Sequence, residues 1–87
     1  MATEVVEVQP TPNPNALKFV LNRTITDRPT SFLDSEAASG HPIASRLFEV
    51  PGVASVLLLG DFVTVNKHPA TRWERITGKV REILKES

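Results

Sequence analysis

Residues 50–67 constrain the fold more than any other part of the chain. Val50-Pro51-Gly52-Val53 opens an apolar run that ends at Leu57-Leu58-Leu59. Gly60-Asp61 interrupts it, and Phe62-Val63-Thr64-Val65-Asn66-Lys67 resumes in alternation. Two β-prone segments separated by two residues make a hairpin, and the glycine supplies the positive φ that a two-residue primed turn requires. Such a turn also sets the register. Leu59 then faces Phe62, Leu58 faces Val63, Leu57 faces Thr64 and Val56 faces Val65. Because side chains alternate between the two faces, Val56, Leu58, Val63 and Val65 share one side of the sheet, and Leu57, Leu59, Phe62 and Thr64 share the other.

The rest of the chain frames this hairpin. Residues 4–8 are short, valine-rich and strand-like, and Pro10, Pro12 and Pro14 exclude helix from the connection that follows. Residues 15–21 form a second strand, with Leu17, Phe19 and Leu21 on one face and Lys18 and Val20 on the other. Residues 22–40 are rich in Thr, Ser and Asp. A 19-residue stretch without structure does not suit a compact domain, so a short edge strand is expected within it. Pro42 suits a first helical turn with His41 at the cap, and the helix runs to about Glu49 with Ile43, Leu47 and Phe48 inward. A second helix begins near Pro69, with Thr71 and Glu74 as a capping box. Trp73, Ile76, Val80, Ile83 and Leu84 form its apolar stripe.

Strands joined by such short links pair antiparallel. Two helices cover one face of the sheet. The expected architecture is α+β: a two-layer, four-stranded, mainly antiparallel sheet with two helices on one face, in the order ββαββα.

At 87 residues the chain makes one domain, 1–87, which buries roughly 60–65% of its unfolded surface. Ten basic and ten acidic side chains cancel, so no overall field draws the chain to nucleic acid or to an anionic membrane. No apolar run approaches the roughly 20 residues that span a bilayer. The acidic start Met1-Ala2-Thr3-Glu4 is unlike a signal sequence or presequence, and cytoplasmic location is the simplest expectation.

Little in the chain speaks for chemistry. There is no cysteine, and the two histidines, His41 and His68, stand far apart in sequence, each before a proline. A zinc or cluster site needs three or four converging ligands, so no metal and no cofactor is expected. No serine or threonine is paired with a histidine in a nucleophile motif, and the glycines are isolated from one another. Asp61 follows a turn glycine, where aspartate serves the backbone more often than it serves as a base. Arg72, Arg75 and Lys79 share a helix face that Glu82 and Glu86 continue, which suits a solvated stripe better than a nucleic-acid surface. The chain does not read as an enzyme.

Several segments together resemble the amino-terminal domain of the Nfu/NifU-like iron–sulfur scaffold proteins. They are Thr11-Pro12-Asn13-Pro14-Asn15-Ala16-Leu17-Lys18-Phe19, Ser35-Glu36-Ala37-Ala38, Pro42-Ile43-Ala44-Ser45-Arg46-Leu47-Phe48, Pro51-Gly52-Val53, Asp61-Phe62-Val63-Thr64-Val65-Asn66-Lys67 and Trp73. Each alone is ordinary strand and turn chemistry. The turn Leu59-Gly60-Asp61 is tighter than in many members, and His41 replaces the usual serine before the proline. In full-length members a separate carboxy-terminal domain with a Cys-x-x-Cys motif holds the cluster, so this cysteine-free chain resembles the cluster-free half standing alone. The resemblance implies a non-catalytic protein-interaction module, accessory to iron–sulfur cluster assembly or delivery. Its partner would be a scaffold, a carrier or a recipient apoprotein.

The hairpin register supplies the candidate site. With Val56, Leu58, Val63 and Val65 under the helices, Leu57, Leu59 and Phe62 lie on the open face, with Lys18 and Lys67 as rim charges. An uncovered apolar cluster marks a partner surface. Against this, Phe32, Leu33 and the connection 22–40 fold over the cluster, or the two faces are assigned the wrong way round. The alternative function is a small regulatory or ligand-binding protein outside iron–sulfur biogenesis, with its pocket between the sheet and residues 22–40.

Overall fold

The computed structural model describes residues 3–86. Its strands are β1 (Val5–Pro10), β2 (Ala16–Leu21), β3 (Thr30–Phe32), β4 (Val53–Leu59) and β5 (Phe62–Lys67). Helix α1 (Ala44–Phe48) precedes β4, and a 3-10 turn (Trp73–Arg75) leads into α2 (Thr77–Lys85) after β5. The strands form one sheet in the order β1-β2-β5-β4-β3, with every neighbouring pair antiparallel.

The fold class is therefore α+β as expected, but the sheet has five strands rather than four and the order is βββαββα. The fifth strand is the short edge strand expected within residues 22–40. Only Thr30, Ser31 and Phe32 pair, opposite Leu58, Leu57 and Val56. Three residues are too few to show a period of two in sequence, and their neighbours are turn formers. They pair because they satisfy the outer edge of β4, whose N–H and C=O groups would otherwise face solvent. To reach that edge the chain rounds the tip of the β4–β5 hairpin, where the Leu21 and Ile25 amides donate to the Asp61 and Gly60 carbonyls at 2.7 and 2.9 Å.

At the other edge, β1 extends to Pro10, a residue an edge strand tolerates because one side of its ladder is unused. Its register shifts between Val5 and Glu7, which leaves Val6 at 61% exposure.

The hairpin adopts the expected register, with Leu59 opposite Phe62, Leu58 opposite Val63, Leu57 opposite Thr64 and Val56 opposite Val65. Gly60 has φ +58°, and no other described residue but Gly52 has positive φ. A positive φ at the first central residue alone is the type II′ pattern, whose twist matches that of the strands. β5 then pairs β2, placing Phe19 beside Val63 and Leu17 beside Val65. Phe19, Val56, Leu58, Val63 and Val65 are fully or almost fully buried on one face, together with Leu47 from α1, Ile76 and, from α2, Val80 and Leu84. Both helices therefore cover the face that alternation assigns to the core.

The helices differ from expectation in how they begin. α1 is a single regular turn, but His41 caps it as expected. Its Nδ1 accepts hydrogen bonds from the Ile43 and Ala44 amides at 3.2 and 3.1 Å, and its carbonyl accepts from Ser45. The ring also meets Phe32 of β3 at 5.3 Å between centroids, so one side chain ties the edge strand to the helix.

The capping box expected at Thr71 and Glu74 is absent, for neither the 3-10 turn nor α2 has a side-chain cap. Thr71 is engaged elsewhere: it packs on Gly52, which has φ +100° and lies so close that a Cβ there would sit 2.5 Å from the threonine Cγ2. Regular α-helix then begins only at Thr77, although Trp73 and Ile83 still pack beside the buried stripe. Arg46 and Glu86 join α1 to the end of α2 at 2.6 Å. This hydrogen bond raises the arginine further above its already high ordinary value, but both side chains are about half exposed and such pairs add little stability.

The two positive-φ glycines should respond differently to substitution. Gly52→Ala suffers both backbone strain and collision with Thr71, and should lose about 2–4 kcal/mol in urea unfolding. Gly60→Ala meets open space and should lose only about 1–2 kcal/mol, the cost of a left-handed backbone alone. Equal losses would show that the Gly52–Thr71 contact carries no weight.

Candidate functional site

The face away from the helices is read directly from the strand register. One row across the sheet runs Glu7, Val20, Phe62, Leu59, and the next runs Gln9, Lys18, Thr64, Leu57, Ser31. Towards the open end of the hairpin the same face becomes polar, with Ser55 opposite Asn66. The apolar side chains are therefore gathered at the tip end. Leu57, Leu59 and Phe62, the three sequence-derived candidates, stand together there with Val20.

Leu57, Leu59 and Phe62 are half-buried, and none belongs to the core cluster or to the partly buried residues packed against it. Their partial cover comes from their own face. The Lys18 ammonium lies 4.1 Å from the centre of the Phe62 ring, an arrangement in which the cation meets the negative face of the aromatic quadrupole.

Phe32 and Leu33, the residues offered by the sequence as a lid, do not serve as one. Phe32 pairs with Val56 on the helix side, and Leu33 is 79% exposed. Residues 22–29 pass round the hairpin tip rather than across the face, and Ile25 packs against the core.

The second expected rim charge lies elsewhere. Alternation turns Lys67 to the helix side, where its ammonium donates to Asn15 Oδ1 at 3.0 Å and sits 5.7 Å from the centre of the Trp73 ring. The Trp73 indole N–H donates to the Pro14 carbonyl at 3.1 Å. The 11–15 loop is closed on itself by Thr11, whose hydroxyl accepts from the Asn13 amide, and by Asn13, whose Oδ1 accepts from the Asn15 amide. Tryptophan and lysine thus dock a proline-rich turn onto the helix layer, and Trp73 is an anchor rather than an exposed platform. Sequence spacing alone did not reveal this link, because its members come from three distant segments.

No constellation for bond-making chemistry accompanies the face. His41 is occupied as a cap, and His68 is exposed at the far end of the hairpin, its amide donating to the Gly52 carbonyl. Among the described residues no three His, Asp or Glu side chains converge. Asp61 is exposed in the turn and offers its carbonyl to Leu21. An iron–sulfur cluster is held chiefly by cysteine thiolates, and this chain has none. Its own donor set therefore does not fit a cluster. No helix among the described residues is long and apolar enough to cross a membrane.

Comparison with known proteins agrees with the geometry. Residues 6–87 match the family described as scaffold protein Nfu/NifU, N terminal. A relative named NFU1 iron-sulfur cluster scaffold homolog, mitochondrial, from Drosophila willistoni is 33% identical over 84 residues, covering 94% of this chain and 29% of that protein. The human protein of the same name is 41% identical over 63 residues, covering 71% of this chain and 25% of that one. The chain thus spans less than a third of either relative. Among solved structures, a NifU-like protein of Saccharomyces cerevisiae superposes with a TM-score of 0.80 at 26% identity, covering 92% of this chain and 74% of that one. Protein SAV1430 of Staphylococcus aureus gives the same TM-score at 23% identity, covering 92% and 96%, a likeness of fold. With its match extending over nearly all its length, the chain belongs to the family of Nfu/NifU scaffold amino-terminal domains.

Proposed function

We propose that this chain is a non-catalytic protein-interaction module, accessory to iron–sulfur cluster assembly or delivery, which docks a protein partner through Leu57, Leu59 and Phe62. The observation that carries the reading is the half-buried apolar cluster on the open sheet face, which lies outside the core, with Lys18 against Phe62. Family membership supports the pathway, since relatives are named as cluster scaffolds. The partner is a scaffold, a carrier or a recipient apoprotein. The cluster itself is cargo bound by that partner, because this chain has no thiolate to offer.

Affinity on such a surface comes from desolvating the phenyl ring and the two leucines, while the lysine contributes orientation and encounter rate. An anchor of this kind needs no rearrangement of the sheet, for the three side chains are held in place by cross-strand pairing before the partner arrives.

Docking residues and core residues on the same strands should separate in stability measurements. Leu58→Ala empties a fully buried site and should lose about 2–5 kcal/mol in urea unfolding. The Leu59→Ser/Phe62→Ser double variant loses one cross-strand pair and one cation–ring contact, and should lose about 1–2 kcal/mol. A larger loss for the double variant than for Leu58→Ala would place the cluster in the core and sink the docking site.

The functional test is affinity capture from lysate of the source cells under anaerobic conditions, with bound proteins identified by mass spectrometry. Wild type should enrich cluster scaffolds, carriers or iron–sulfur apoproteins, and the folded double variant should lose them. Capture undiminished in the variant overturns the site. Capture of unrelated proteins alone overturns the pathway.

A further inference from the structure

A second surface lies at the opposite end of the β4–β5 hairpin from the apolar cluster. There the Pro51–Gly52 turn that starts β4 faces the segment that follows β5, and an open groove of about 750 Å³ lies between them. Arg72, Arg75 and Lys79 line it, with Glu74 as its one acid. All four side chains are exposed. The only ion pair among the described residues joins Arg46 to Glu86, so none of the three cations has a carboxylate partner there.

Their position is not explained by α2, whose start Arg72 and Arg75 precede and whose first turn contains Lys79. Positive charge at a helix N-terminus opposes the macrodipole, and α2 carries no acid in its first turn to offset it. The chain as a whole is neutral, yet this groove gathers three cations against one anion. Half of its lining residues are charged, the others being Pro51, Gly52, Ala70 and Thr71, and it has none of the large apolar and aromatic side chains of a typical small-molecule pocket. Grouped arginines present planar donor forks that match carboxylates, and a concave site lined by one sign of charge concentrates the field.

We propose that this groove binds a carboxylate-rich segment of the protein partner, with Arg72 and Arg75 as paired forks and Lys79 as a third positive charge. The inference rests on the interaction-module reading and names the chemistry of a second contact with the same partner. The seven residues of β4 separate the two contacts by roughly 20 Å, far enough for each to be altered without the other.

The test uses fluorescence anisotropy with a labelled oligoglutamate peptide, and a Gly-Ser peptide and a duplex RNA of similar length as comparisons. Oligoglutamate should bind wild type in a salt-dependent manner, weakening between about 50 mM and about 300 mM salt. Arg72→Gln/Arg75→Gln should weaken it about tenfold and Arg72→Glu/Arg75→Glu should abolish it. These changes lie on exposed positions, and circular dichroism checks that the variants fold. Leu59→Ser/Phe62→Ser should bind the peptide like wild type, so failure of the apolar site and failure of the groove are read separately. Binding unaffected by charge reversal, or no binding at low salt, overturns the proposal. Tighter binding of RNA through the same arginines overturns it in favour of a phosphate ligand, and low-salt self-association lost in the charge-reversed variant overturns it in favour of a second copy.

Discussion

The turn at Gly60-Asp61 determines what every other residue of the sheet does. Its two central residues leave one possible pairing of β4 with β5, and a slip of one position would reverse the faces of one strand relative to the other. Leu57 and Leu59 would then share a side with Val63 and Val65, and neither face of the hairpin could bury a full apolar row. β2 takes its register from β5, so Phe19 and Lys18 are sorted by the same turn. The glycine at φ +58° is therefore both the geometric origin of the core and the reason an apolar cluster remains on the other side.

The opposite end of the hairpin is held by close contacts rather than by a turn. Gly52 approaches Thr71 too closely for any side chain, the His68 amide donates to the Gly52 carbonyl, and Trp73 and Lys67 pin the 11–15 loop. These contacts constrain the entry to the last helix. Thr71 packs on the glycine, regular helix is delayed to Thr77, and the intervening turn carries Arg72 and Arg75 into the groove beside Pro51. The positions of those arginines are thus a consequence of tertiary packing, which overrode the local capping pattern.

This explains what could be read from the chain beforehand. The hairpin, its register, its two faces and the buried stripe of Ile76, Val80 and Leu84 were legible, because period and turn chemistry are local signals. His41 at the first cap was legible for the same reason, although its contact with Phe32 was not. A short edge strand within residues 22–40 was legible from the length of that connection, but its position was not, because three residues carry no periodicity and the edge of β4 rather than their own propensity makes them a strand. Lys67 lies on the helix side rather than at the rim of the open face, because alternation along β5 places it with Val63 and Val65 whatever its charge. The three candidates of the open face were legible as a set, since a register that buries one row of side chains necessarily exposes the next.

The two surfaces suit a particular kind of contact. Leu57, Leu59 and Phe62 are half-buried, and Lys18 lies over the Phe62 ring, so the free protein tolerates an apolar cluster that a fully exposed arrangement would make prone to association. A small apolar anchor with charged surroundings fits a transient interface rather than a permanent one, because obligate interfaces are larger and more apolar throughout. On the proposed reading transience is a requirement. An accessory module that docks a cluster-assembly partner, and has no thiolate to retain the cluster, acts repeatedly only if both contacts release. Separating a hydrophobic contact from an electrostatic one allows this: charge accelerates encounter at a distance, and the modest apolar area sets a short residence time.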